Sequence, residues 1–127
     1  MDRVSYFQQY FKISVPKVRM FIYHIALPEV WERYKDRPSY QPDSLTTEGF
    51  IHCSYPSQLE AVLKRYYSGA EKVLILKIDS EKLFSKLVKE PSTNNEMYPH
   101  IYGRLNHSAV VSVEERVLRN KSSDAAY

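Results

Sequence analysis

The sequence predicts a compact α+β domain whose strands and helices follow one another in mixed rather than alternating order. Residues 72–79 (KVLILKID) form a short run with a continuous apolar centre, the pattern of a strand buried on both faces. Residues 28–34 and 56–67 instead space their apolar side chains three or four apart, the period of a helix. A chain of 127 residues, 43% hydrophobic and 26% charged, has room for one such domain and a composition usual for globular proteins. The domain is expected over residues 20–118. Residues 1–19 read as a helical or disordered extension and residues 119–127 as a flexible tail.

The elements follow in order. Residues 20–25 (MFIYHI) are β-favouring and strand-sized. Pro28 suits the first turn of a helix, in which Val30, Trp31 and Tyr34 make an apolar stripe. Residues 36–47 carry two prolines among polar residues and read as a loop long enough to cover a site. Residues 49–54 (GFIHCS) predict a second strand. Residues 56–67 predict a helix with Leu59, Val62, Leu63 and Tyr66 on one face, capped by Ser54 or Ser57. After the strand at 72–79, an Asp79 or Ser80 cap starts one or two helical turns, and residues 87–90 return as a short strand. Residues 98–105 are aromatic but interrupted by Pro99 and Gly103, which predicts an irregular or edge segment. A last strand spans 108–118, with Val111, Val113 and Val117 facing one way.

Charge and cysteine content narrow the function classes. The formal charge of +3 is concentrated at the ends, because residues 21–115 hold 11 basic and 13 acidic side chains. A slightly acidic body without a basic stripe argues against a nucleic-acid partner. No apolar run reaches the roughly 20 residues of a membrane-spanning helix. A single cysteine, Cys53, gives no internal disulfide, so cytosol or nucleus is the expected compartment, ahead of a mitochondrial one. Three glycines cannot write a glycine-rich phosphate loop.

Three of the four histidines, His24, His52 and His100, sit among apolar and aromatic residues on adjoining segments. Any one of them reads equally as a hydrogen-bonded core residue; three together point to a shared pocket. On a strand, His52 and Ser54 share one face with Phe50, while Ile51 and Cys53 take the other, so His52 cannot activate Cys53. Neither HxxxH nor CxxC spacing is present, and no metal site is expected. Glu90, at a strand end before Pro91, can place a carboxylate where positive charge develops. Tyr98 and Tyr102 can stack on a planar ring, and Gly103 supplies backbone freedom beside them.

The segments Ile22-Tyr23-His24-Ile25, Gly49-Phe50-Ile51-His52-Cys53-Ser54, Glu90-Pro91-Ser92 and Tyr98-Pro99-His100-Ile101-Tyr102-Gly103 resemble the family called domain of unknown function 952, over about residues 21–113. That family is similar to the ADP-ribosyltransferase superfamily, whose split sheet binds NAD in a cleft. The resemblance implies a mixed or antiparallel split sheet with two to three short helices. By it, His24 would hold a ribose, His52 and Ser54 would line a nicotinamide pocket, and Glu90 or His100 would contact the reacting ribose. His52, Glu90 and His100 are then the catalytic candidates. His24, Ser54, Tyr98, Tyr102 and Gly103 are the ligand-binding ones. NAD enters as a substrate, and the implied activity is transfer or hydrolysis of ADP-ribose. The alternative is a non-catalytic module that binds a small molecule or nucleotide. A toxin-like ExE pair is missing from the sequence.

Overall fold

The computed structural model describes residues 19–118, so the readings made for residues 1–18 and 119–127 lie outside it. Strand β1 (Phe21–Ala26) leads into helix α1 (Pro28–Tyr34), which Pro28 opens from its first turn. The segment read as a loop contains a two-residue strand, β2 (Ser39–Tyr40), and a single turn, α2 (Ser44–Thr47). Strand β3 (Ile51–His52) is followed by a 3-10 turn (Pro56–Gln58) and helix α3 (Leu59–Tyr66). Strand β4 (Lys72–Asp79) has the predicted bounds. The Asp79 carboxylate then accepts from Glu81 N–H at 3.0 Å and caps a 3-10 turn at Ser80–Lys82. Strands β5 (Lys86–Pro91), β6 (Met97–Tyr102), β7 (Leu105–Asn106) and β8 (Val110–Val117) complete the order.

The result is a small α+β domain of antiparallel sheets with few and short helices. One sheet has the order β1-β4-β8 and another β3-β6-β5, and β2 pairs with β7. A single bridge joins the two larger sheets: Tyr23 N–H donates to Ser54 O at 2.9 Å and Ser54 N–H to Tyr23 O at 2.7 Å. Strand β4 is buried on both faces, as its apolar centre requires. Leu76 and Ile78 join Ile22, Ile51, Ile101 and Leu105 in one core, while Val73 and Ile75 pack with Ile25, Leu59 and Leu63 in another under α3.

Pro99 explains where the sheet splits, and it corrects the reading of residues 98–105. Strand β6 is the central strand of its sheet, not an edge. Cys53 N–H donates to Pro99 O at 3.1 Å, so the imide nitrogen of Pro99 also faces β3. The return bond needs a donor that proline lacks. The β3–β6 ladder therefore ends at the pair His52–His100, and the chain turns to β1 at Ser54. The β5 side of β6 loses nothing, since its ladder runs unbroken from Lys86–Tyr102 to Pro91–Met97.

One further expectation changes. Neither Ser54 nor Ser57 caps α3; the Gln58 side chain accepts from Tyr55 N–H at 3.0 Å instead. Val111, Val113 and Val117 are exposed on the edge strand β8.

Candidate functional site

Where the sheets part, the chain encloses a cleft of about 620 Å³. Strand β1 contributes Tyr23, His24 and Ile25, and the segment between α1 and β3 contributes Tyr40, Asp43, Ser44 and Glu48. The chain leaving β3 brings His52, Cys53 and Ser54. Helix α3 and its end supply Val62, Tyr66 and Tyr67, the β5–β6 turn supplies Ser92 and Thr93, and β6 supplies Tyr98. Of the segment 36–47, Tyr40, Pro42, Asp43 and Ser44 thus line the cleft. Opposite it, Tyr66 OH and Thr93 Oγ1 lie 2.5 Å apart, tying α3 to the β5–β6 turn.

His24 is the fixed point of the site. Its Nδ1 lies 2.6 Å from His52 O, and a carbonyl only accepts, so Nδ1 carries the proton. Tyr40 OH then donates to the bare Nε2 at 2.9 Å. Burial lowers the His24 pKa to about 4, outweighing the backbone hydrogen bond that favours the charged ring. His24 is therefore neutral near pH 7 with both nitrogens engaged. Burial also pushes the Tyr40 hydroxyl upward, which keeps it a donor. Cys53 is buried and its thiol is pushed up by the same cause, which makes it a poor nucleophile.

His52 behaves differently. Its side chain is 48% exposed, and its Nε2–H donates to Glu48 Oε2 at 2.8 Å. Its ring centroid is 5.4 Å from that of His100, on the same side of the sheet, as directly opposed residues must be. Phe50 ties these rings together: it stacks on His100 at 4.1 Å and meets His52 at 4.8 Å and Tyr102 at 5.3 Å. His100 Nδ1–H donates to Glu90 Oε1 at 2.7 Å, and Tyr102 OH donates to the same oxygen. These two donors, Tyr102 first, hold the Glu90 carboxyl below its usual range, and the Tyr102 hydroxyl is raised in return. His100 Nε2 is buried without a hydrogen-bond partner.

The sequence-predicted residues therefore fall into two linked groups. His24, His52, Ser54 and Tyr98 line the cleft, whereas Glu90, His100 and Tyr102 form a cluster beside it that meets the cleft at His52. Gly103 belongs to neither group. A Cβ there would stand 2.4 Å from Ser85 Oγ at a φ of +149°, so its glycine is required by packing. Sequence reasoning missed Tyr40, Asp43 and Glu48. The one local signal for Tyr40 is a large aromatic between Pro38 and Pro42 in a polar stretch. Among the described residues no group of three or more His, Cys, Asp or Glu side chains is placed to hold a metal ion. No described helix is long and apolar enough to cross a membrane.

The profile described as "Protein of unknown function (DUF952)" matches residues 25–113, from the end of β1 through the first half of β8, and takes in the site except for Tyr23 and His24. The chain belongs to the DUF952 family. The crystal structure of protein CC0527 from Caulobacter crescentus is similar, with a TM-score of 0.71 and 23% identity, covering 84% of this chain and 99% of that one. Its solution NMR structure gives a TM-score of 0.68 at 24% identity, covering 80% and 88%. These likenesses show the fold of this DUF952 chain. No curated protein matches it.

Proposed function

We propose that the cleft binds a small molecule through a planar ring. The observation that carries this is the convergence of five tyrosines, Tyr23, Tyr40, Tyr66, Tyr67 and Tyr98, with a pre-set neutral His24 and an accessible His52 around one opening at the sheet seam. Aromatic walls take up a ring's faces, and a few placed polar groups fix its orientation. The NAD- or ADP-ribose-type ligand implied by the family's likeness to ADP-ribosyltransferases is the form of this reading in which the ring is nicotinamide.

A catalytic reading stands second, supported by the lowered Glu90 carboxyl and the unpartnered Nε2 of His100. Release of nicotinamide leaves positive charge on the ribose, which a fixed carboxylate stabilises. Glu90 is committed to two donors and is not among the residues lining the cleft, so the geometry favours binding over catalysis.

Ligand-observed NMR with nicotinamide, ADP-ribose and NAD tests both readings. Ring binding predicts transfer signals from nicotinamide that fall about tenfold in affinity, about 1.4 kcal/mol, in His52→Ala with folding unchanged. Silence from all three ligands would contradict it. The catalytic reading adds turnover of NAD that Glu90→Gln abolishes while binding persists.

A further inference from the structure

We infer that the ligand of this cleft is a cation, a ring carrying an ammonium or other fixed positive charge. The inference rests on the ring-binding reading and adds the sign of the charge. Among the described residues that line the cleft there is no Lys or Arg, and the charged side chains are Asp43 and Glu48. His24 is neutral and both its nitrogens are engaged, so it adds no positive charge. Five tyrosines line the cleft, and electron-rich rings of this kind attract a cation and do nothing for an anion.

Both carboxylates have capacity to spare. Asp43 occupies the N-cap position of α2 yet makes no capping bond, although aspartate there ordinarily accepts from the first turn. Glu48 uses Oε2 for His52, which leaves Oε1 open. A phosphate ligand would find the opposite of what it needs. Anion sites are built from Arg or Lys, a glycine-rich backbone nest or the start of a substantial helix. The helix at this wall, α2, has four residues. Arg65 hydrogen-bonds to the side chains of Tyr98 and Tyr66 and lies 5.8 Å over the Tyr66 ring, but it is not itself a lining residue. With two carboxylates and no Lys or Arg among its lining residues, the cleft carries a field in which a cation gains on entry and an anion loses.

Three probes of one shape separate the sign of charge from ring binding: benzylamine (an ammonium near pH 7), benzyl alcohol (neutral) and benzoate (anionic). Titration calorimetry or NMR should give benzylamine about tenfold tighter binding than benzyl alcohol, with benzoate weakest. Added salt should weaken benzylamine alone. Asp43→Asn and Glu48→Gln, both at exposed positions, should each shrink the preference. Glu115→Gln, on the far edge strand β8, should leave it unchanged. Equal binding of amine and alcohol would overturn the inference while ring binding stood. Equal loss in Glu115→Gln would assign the effect to net charge and overturn it as well. Absence of binding by all three would defeat both readings together.

Discussion

His24 and His52 both line the cleft and are joined by one hydrogen bond, yet His24 is buried with both ring nitrogens engaged while half of the His52 side chain is in solvent. The difference is made by the strands that carry them. His24 lies on β1 between Ile22 and Ala26, two core residues of the same face, so its ring enters the protein and must find partners there. His52 lies on β3, the strand that Pro99 cuts short, and its ring faces the open side of the sheet. One histidine holds the seam together; the other is available to a ligand.

Substitutions should separate these roles. His24→Ala leaves Tyr40 O–H and His52 C=O without their partner and opens a cavity, and should cost on the order of 3 kcal/mol in urea unfolding. His52→Ala should stay within about 0.5 kcal/mol of wild type while weakening ligand binding. Tyr40→Phe falls between them at about 1–2 kcal/mol, because it removes one donor and keeps the ring. A folding cost for His52→Ala equal to that of His24→Ala would break the comparison.

Acid provides a gentler probe. The folded pKa of His24 is about 4, below the ordinary 6.5, so the unfolded chain takes up the proton first as pH falls. Stability from this group is complete above about 6.5 and declines as pH drops toward 4, by up to about 3 kcal/mol. The slope should vanish in His24→Ala. Glu90, whose carboxyl lies below its ordinary value of 4.5, contributes stability lost only at pH below that value, so the two windows are distinct.

Much of the frame was legible in the sequence because it depends on local pattern. Strand β4 announces itself by an unbroken apolar centre, and α1 by Pro28 and a helical stripe. Pro99 was misleading for a physical reason. Proline is excluded from central strands only where its missing donor breaks a ladder, and here the break coincides with the end of β3, so β6 tolerates it. The meeting of Phe50 and His52 on one face was readable from strand alternation. The Tyr40–His24 bond spans 16 residues and joins strands of different sheets, and the His100–Glu90 pair spans 10 and depends on the β5–β6 register; no local pattern encodes either meeting. The acidic lining comes from a segment whose charges, read singly, look like any solvated loop.

The most direct test of the cationic ring site is backbone amide NMR of the full chain titrated with benzylamine. The account predicts shifts at Tyr23, Asp43, Ser54 and Thr93, residues from four segments that line the cleft, with β8 silent. Shifts centred on the exposed valines of β8, or no saturable shifts at all, would contradict it.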